Sequence, residues 1–500
     1  MGGGGPFSVH AATLHGIRAI PVTVEASAHG GIPGLSIVGM PDSAVLEASS
    51  RIRCALGSCG YELPRMKITV NLAPGDIRKS GTGFDLPIAT AILACTGQIP
   101  RDGLDDCLFV GELGLDGGIS PTRGAMAYLR RATASGLCLV TARGANVHAG
   151  DEGDEVRVIE SLSQLRGGVR NLSHKVTHAA EGTFDVMGED GVPLDFADVV
   201  GQEAAKRAII ISATGAHGLL MVGPPGSGKS MLARRMPGIL PPMTPDEQQE
   251  ALLVHSVCGL PLDSLERGQR PFRAPHHSAS SAGLVGGGKP VLPGEISLAH
   301  NGVLFLDELP EFSSSVLQAL RQPMEEHEVR ILRAEGNFEF PCRFLLVAAA
   351  NPCPCGYLGD KRHQCRCSAA QIEKYQGRVG GPLLDRIDLH VDVTRPDTES
   401  LIRGEEGLAT EQMAQMVAAG RAFASWRQQK AGTGGSRRAL NAQMDLKAQN
   451  AFERISEQLG LGGRSMSCVA RVARTLADLR EAERISADDV MEACAFRARR

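Results

Sequence analysis

The residues with the clearest chemical reach lie in Gly218–Ser230, GLLMVGPPGSGKS. Gly223, Gly228, Lys229 and Ser230 fill the fixed places of G-x-x-x-x-G-K-[ST], after an apolar run (Leu219–Val222) and before helix formers (Met231–Arg235). A strand, a glycine-rich turn and a helix in that order make a phosphate loop. Gly223, Gly226 and Gly228 let a turn that also holds Pro224, Pro225 and Ser227 close its backbone N–H groups on phosphate oxygens. The helix that follows adds the positive end of its dipole. Lys229 would reach the β- and γ-phosphates, and the Ser230 hydroxyl would bind Mg²⁺. Further on, the four-residue apolar strand Val303–Leu306 delivers Asp307 and Glu308 at its C-terminal end. Asp307 would hold Mg²⁺ through water or Ser230, and Glu308 would polarise an attacking water. Binding of a nucleoside triphosphate follows, with the groups needed to hydrolyse it.

Cys353, Cys355, Cys365 and Cys367 form two C-x-C pairs separated by nine residues. Four thiolates converging from two turns would suit tetrahedral zinc; four reduced thiols in an ordered loop are the alternative. Lys361, Arg362 and Arg366 make this loop basic, which suits contact with nucleic acid as well. His276 and His277 are adjacent, so their side chains diverge, and a loop-ordering role is expected of them rather than metal binding.

The elements that must position these groups can be read in part. Leu35–Val38, Lys67–Val70 and Cys107–Val110 read as strands, and Ser43–Leu56, Leu86–Leu93 and Ala125–Ala134 as helices, within a first unit over 1–165. A polar, glycine-punctuated stretch over 166–192 reads as a linker. A core unit over 193–396 carries the phosphate loop, and Ala204–Ser212 has helical spacing before it. Between Lys229 and Asp307 lies RPFRAPHHSASSAGLVGGGKPVLPGEISLAHNG, whose glycine-rich middle predicts a flexible loop facing a pore or partner. EEHEVRILRAEGNFEFPCRF alternates around Gly336-Asn337 and predicts a β-hairpin, with Arg330 and Arg333 as phosphate contacts or as part of a solvated face. Phe344–Ala350 is a second apolar strand, ending in Asn351. The region 397–500 is helical, with helices at Thr410–Gln429, Leu440–Leu459, Val469–Leu479 and Ser486–Phe496 and a loop, KAGTGGSRR, after the first.

Five hundred residues with 43% hydrophobic and 22% charged residues fit globular domains with sizeable cores. The net charge of −4 gives no overall basicity, but Arg421–Arg500 holds 15 basic against 9 acidic residues, which fits a polyanion site or a solvated helical surface equally. The N-terminus lacks the basic and apolar regions of a signal peptide, and no apolar run is long enough to span a bilayer. Thirteen cysteines without an export signal should be reduced, and the expected compartment is the cytoplasm.

Two segments of the first unit resemble the proteolytic domain of Lon proteases: RKSGTGFDLPIATAIL from Arg78 and GELGLDGGISPTRGAMAYL from Gly111. On that pattern the serine position falls on Gly83 and the lysine position on Tyr128, and neither can act as nucleophile or base. The resemblance implies a Lon-like α+β fold kept as scaffold or oligomerisation module. Taken together, IVGMPDSAV, NLAPGDIRKSGTGFDLPIA, GPPGSGKS, RPFRAPHHS, LFLDELPEF, AANPCPCG and GPLLDRIDL resemble the YifB/ComM family of magnesium chelatase-like AAA+ proteins over nearly the whole chain. The resemblance implies an α/β protein with an AAA+ core and a C-terminal helical lid, and ATP as the nucleotide. It puts Gly201-Gln202 at the adenine pocket and Asn351 at the sensor 1 position. Arg386 becomes a finger reaching the neighbouring subunit's nucleotide, or else an ion-pair partner of Asp385 or Asp388. The hairpin before sensor 1 would point into a central channel. The sensor 2 arginine position falls on Cys468, with Arg464 or Arg471 as substitutes.

Better-studied relatives imply a hexameric, ATP-hydrolysing motor that drives branch migration of single-stranded or branched DNA in recombination or natural transformation. The alternatives are the ATPase subunit of a magnesium chelatase-type complex, or a protein remodeller that does not act on DNA.

Overall fold

The computed structural model describes residues 6–62, 65–148, 154–175, 193–334, 336–360, 362–395, 407–431 and 443–497. It is a mixed α/β structure whose first layer system is an eight-stranded sheet. The strands are β1 (Phe7–His15), β2 (Arg18–His29), β3 (Gly34–Val38), β4 (Lys67–Ala73), β5 (Cys107–Phe109), β6 (Cys138–Ala142), β7 (Val156–Ile159) and β8 (Ser173–His174), in the order β8-β7-β6-β5-β1-β2-β4-β3. The β1–β2 hairpin is the longest pairing in this sheet, yet its sequence signals it weakly. Alanines hold many inward places, and alanine has little strand preference of its own. The sheet runs on to β8, so residues 166–174, which the polar composition assigns to the linker, pack against it through Val169 and Leu172. The rest of the expected linker, 176–192, lies outside the described residues, as does most of KAGTGGSRR.

Helices α1 (Ser43–Ser58) and α2 (Asp85–Cys95) cover one face of this sheet, and α3 (Ala125–Ala134) the other. Every residue of α2 is buried, which is why its apolar residues run together instead of forming a stripe. At its start the Asp85 carboxylate, fully buried, accepts from Arg51 Nε at 2.7 Å and Nη2 at 2.9 Å and from the Leu113 N–H at 3.2 Å.

The second sheet is parallel and five-stranded: β9 (Leu219–Val222), β10 (Phe272–Arg273), β11 (Val303–Leu306), β14 (Leu345–Ala350) and β15 (Leu389–Asp392), ordered β10-β11-β14-β9-β15. The hairpin β12 (Glu328–Arg333) and β13 (Gly336–Pro341) stands apart as its own two-stranded ladder. Strands buried on both faces read as continuous apolar runs, which is how Leu219–Val222 and Val303–Leu306 stand out in the sequence. Leu219 and Met221 face a core shared with α4 (Glu203–Gly215), α5 (Lys229–Arg235) and the C-terminal helices, while Leu220 and Val222 face the core beneath the hairpin. The glycine-rich middle expected to be a flexible loop is ordered: Gly286–Gly287 pairs with Leu292–Pro293, and a Cβ on Gly294 would meet the Leu284 carbonyl.

Among the contacts that join the first unit to the second, a helix pair and a ring stack stand out. Helix α6 (Pro245–Cys258) begins at Thr244 with a reciprocal cap, in which Glu247 N–H donates to Thr244 Oγ1 and Thr244 N–H to the Glu247 carboxylate. It lies against α3 through Leu252, Ala251, Met126 and Leu129, and Ser256 accepts from the N–H groups of Gly124 and Met126. At the other contact His15, at the tip of β1, stacks on Phe338 of the β13 strand with ring centroids 4.3 Å apart.

The C-terminal helices α7 (Thr410–Ala431), α8 (Leu446–Gln458), α9 (Gly463–Leu479) and α10 (Ala487–Ala495) pack over α4. Their joint with the sheet is polar. His217 sits between Asp388 (Nδ1 to Oδ2, 3.0 Å) and Thr475 (Nε2 to Oγ1, 2.8 Å), and Arg471 Nη2 donates to Asp388 Oδ1 at 2.7 Å. Among the described residues no helix is long and apolar enough to cross a membrane.

Removing one partner of a buried ion pair leaves the other charge uncompensated. Arg51→Ala should therefore destabilise the first unit by about 3–5 kcal/mol, read as a fall in the urea midpoint of its unfolding. At Asp388, burial would raise the carboxyl, but His217 and Arg471 hold it down at about 2. A group depressed in the folded state stabilises above its unfolded value of about 3.9 and loses that contribution as pH falls through the folded one. The stability gap between wild type and Asp388→Asn should thus be full at neutral pH and shrink below about pH 4, measured by urea midpoints across a pH series.

Candidate functional site

Strands β11, β14 and β9 are neighbours and parallel, so their C-terminal ends meet at one edge, where ligands of open α/β sheets bind. Val222 pairs with Ala350 and Leu306 with Ala348. Gly223 and Asn351 therefore leave the sheet level with each other, and Asp307 leaves it two residues earlier in the register. Gly223 has no room for a side chain, because a Cβ would strike the Val393 carbonyl oxygen. Gly226 and Gly228 take φ of +74° and +88°, the left-handed region in which glycine is unstrained, and this curls the turn before α5. Pro224, Pro225 and Ser227 complete the loop, and Ser227 Oγ is buried without a partner among the described residues.

Lys229 Nζ donates to the carbonyls of Gly223 (2.7 Å) and Pro224 (3.0 Å) and to Asn351 Oδ1 (3.3 Å). Burial pushes its ammonium below the ordinary lysine value, with Asp307 and Glu308 opposing that shift. Ser230 Oγ donates to Asp307 Oδ2 at 2.6 Å, and the Glu308 N–H donates to Asp307 Oδ1 at 2.9 Å. Glu308 itself adopts a left-handed φ of +50°, and its carboxylate stays half exposed. A phosphate-sized turn, a buried ammonium and a hydroxyl–carboxylate pair stand together here, and this donor set fits a Mg²⁺-nucleotide. Gln202, also left-handed, reaches the loop by donating Nε2 to the Ser227 carbonyl at 3.3 Å, and it touches the Thr394 carbonyl.

His277 has more to do than order its loop. Its Nδ1 lies 3.5 Å from Glu308 Oε2, with its ring against His276 (4.0 Å) and edge-on to Phe312. The pairing joins residues thirty-one positions apart, and the only hint in the sequence is that His276-His277 follow the edge strand β10.

Arg386 follows the short helix Gly381–Leu384 and precedes β15. Neither Asp385 nor Asp388 holds its side chain. Its Nη2 meets Glu325 Oε1 at 2.9 Å, its Nη1 donates to the Pro382 carbonyl at 2.6 Å, and its Nε is buried without a partner. Arg464 shares the same Glu325 oxygen, and Arg471 is engaged by Asp388 and by Cys468 Sγ at 3.4 Å. Both arginines considered for the sensor 2 place are thus held by partners outside the phosphate loop. On the hairpin, Arg330 pairs with Glu328 at 3.1 Å and is exposed, as are Arg333 and Leu332.

The four cysteines converge. Cys353 Sγ lies 3.4 Å from Cys355 and 3.7 Å from Cys365, Cys355 lies 3.6 Å from Cys365, and all four sulfurs, Cys367 included, fall within 4.8 Å. None is in a disulfide. Backbone N–H groups of Arg366 and Tyr357 bring the Cys355 thiol down to about 6.

Comparison with known proteins agrees with this architecture. The family profile "Magnesium chelatase, subunit ChlI" matches residues 195–401, "Subunit ChlI of Mg-chelatase" matches 24–142, and "Magnesium chelatase, subunit ChlI C-terminal" matches 407–497. The chain is similar to the uncharacterized protein YifB of Escherichia coli, 38% identical over 98% of this chain and 96% of the relative. It is similar to the competence protein ComM of Haemophilus influenzae, 39% identical over 98% of this chain and 97% of the relative. The magnesium-chelatase 67 kDa subunit of Chlorobaculum parvum is 33% identical over only 31% of this chain and 23% of its own length. With two such relatives matched end to end and its phosphate loop at the edge of a parallel sheet, the chain belongs to the YifB/ComM family of magnesium chelatase-like AAA+ proteins.

Proposed function

We propose that this chain is an ATP-hydrolysing motor that works as a ring, hexameric by family expectation, on single-stranded or branched DNA in the cytoplasm. The reading is carried by the convergence of Lys229 with Asn351, and of Ser230 with Asp307, at one sheet edge. Lys229 and the loop through Gly223, Gly226 and Gly228 would hold the phosphates, and Ser230 and Asp307 the metal. Mg²⁺ held there would supply neutralisation of the phosphate charge. Glu308 would take a proton from the attacking water, and Asn351 would orient the γ-phosphate beside Lys229. Arg386 would leave Glu325 to reach the nucleotide of a neighbouring subunit, which makes a ring necessary for turnover.

The DNA reading draws on the name of the competence protein from Haemophilus and on the exposed Arg330 and Arg333 of the hairpin. Backbone phosphates would dominate that binding, so it should weaken steeply with salt. A chelatase-type ATPase subunit is the second reading, favoured by the family profiles, but the resemblance to the Chlorobaculum subunit covers under a third of this chain. A protein remodeller independent of DNA is the third.

We read the first unit as a Lon-like scaffold without proteolysis. A Cβ on Gly83 would stand 3.7 Å from Tyr128 Oη, so the two positions that a serine–lysine dyad would need in contact are neighbours and carry neither group. The four thiols we read as a zinc site.

Hydrolysis measured with and without single-stranded and four-way-junction DNA should rise with DNA at low salt and lose that stimulation as salt is added. Lys229→Ala should reduce it at least about 100-fold under every condition. Hydrolysis indifferent to all DNA would sink the motor reading and favour a protein partner. A mixing experiment tests the shared site. Arg386→Ala and Glu308→Gln chains, each inactive alone, should regain hydrolysis when mixed, because hybrid rings contain interfaces with both intact groups. No recovery would place Arg386 in cis.

A further inference from the structure

The cysteine loop does not stand off from the nucleotide site; it forms part of its wall. Cys353 comes two residues after Asn351, at the end of β14, and its side chain is fully buried. The Gly356 N–H donates to the Cys353 carbonyl at 2.9 Å, which turns the chain back toward the phosphate loop. Gly356, with φ of +83°, packs so closely on that loop that a Cβ would come 2.6 Å from Pro225 Cδ. On the far side of the loop, Arg395 Nη2 donates to the Pro225 carbonyl at 3.2 Å while its guanidinium lies over the Tyr357 ring. Its Nη1 is 3.2 Å from His363 Nδ1 and its Nε 3.7 Å from Asp360 Oδ2. The carboxylate of Asp360 accepts from the N–H groups of Arg362 and His363 and so orders the turn between the two cysteine pairs.

The sulfur spacing suits a tetrahedral metal ion. Four sulfurs about 2.3 Å from a tetrahedral centre lie about 3.8 Å from each other. The separations of 3.4, 3.7 and 3.6 Å among Cys353, Cys355 and Cys365 are close to that edge and exceed the about 2.0 Å of a disulfide, and the Cys367 sulfur lies within 4.8 Å of all three. An all-thiolate tetrahedral set suits zinc. The Cys367 N–H, 3.5 Å from Cys365 Sγ, adds the kind of outer hydrogen bond that orients ligands.

We propose that zinc held by Cys353, Cys355, Cys365 and Cys367 clamps the phosphate loop through the Gly356–Pro225 contact, so that metal occupancy sets nucleotide affinity. The proposal rests on the zinc and nucleotide readings above and adds the coupling between them. With the ion bound, the two C-x-C turns close and hold Gly356 and Tyr357 against Pro225, while Asn351 is fixed two residues before the metal-tied segment. Without it, the loop loses the node that holds its two arms together, and Pro225 and Asn351 lose their common support.

The test uses the purified full-length chain, with zinc content read by elemental mass spectrometry and affinity by a fluorescent ATP analogue with Mg²⁺. Wild type should carry one zinc per chain. A Cys355→Ser/Cys365→Ser double variant should lose the metal and bind the analogue about tenfold more weakly, in the range of outer-shell effects. Gly356→Ala keeps all four thiols and should retain zinc while weakening the analogue comparably, because it forces the loop off Pro225. This second variant decides the matter if the double variant folds poorly. Wild-type chain without zinc, even when produced with zinc supplied, would overturn the metal reading. Zinc present in wild type and Gly356→Ala with unchanged affinity in that variant would overturn the coupling alone. Failure of wild type to bind the analogue at all would overturn the nucleotide reading instead.

Discussion

Asp307 accepts the Ser230 hydroxyl at 2.6 Å because β11 and β9 run parallel, one strand apart, and end at the same edge of the sheet, two residues apart in register. That constraint organises much of the second unit. A parallel strand needs a crossover before its partner, so the chain must leave and return between each of these strands. The returns are where the insertions sit. One brings His277 to Glu308, and another is the hairpin before β14. The sheet edge thus fixes the Ser230–Asp307 pair, and the crossovers decide what surrounds it.

The opposite edge, at the N-terminal ends of these strands, carries the polar joint with the C-terminal helices. Asp388 stands just before β15, beside Gly218 at the start of β9, and ties that end of the sheet to α9 through His217, Thr475 and Arg471. An ion pair at this depth gains little net stability over an apolar contact, but it holds one arrangement, since breaking it leaves a buried charge. The helices behind are joined by ordinary apolar packing, Val469, Val472 and Leu476 against α4. Orientation comes from the network and cohesion from the core.

Two side chains near the sheet edge are each met within the chain by a polar partner. Glu308 is met by His277, and Arg386 by Glu325, a carboxylate that Arg464 also shares. Both contacts are partly exposed, where ion pairs are weak and exchange readily. The chain can therefore keep reactive side chains in defined places without committing much free energy to holding them there.

Local sequence determined a good deal of this protein. The phosphate loop, the Asp307-Glu308 pair and the runs Leu219–Val222 and Val303–Leu306 are legible because strand burial and glycine geometry are short-range demands written into consecutive residues. The helix Ala125–Ala134 and the hairpin around Gly336-Asn337 are legible for the same reason, through periodicity and turn chemistry. The cysteines could be counted and spaced, but their convergence to within 4.8 Å depends on how two turns fold back. Only the tertiary structure decided that His277 faces Glu308, that Glu325 rather than Asp385 or Asp388 holds Arg386, and that residues 166–174 pack on the first sheet and end in its edge strand. The alanine-rich β1–β2 hairpin also emerged only there, since its strands gain their stability from neighbours on both sides. Each of these is a pairing across long stretches of chain, chosen by which surfaces the packed cores leave in contact, and residue type and spacing carry no term for that choice.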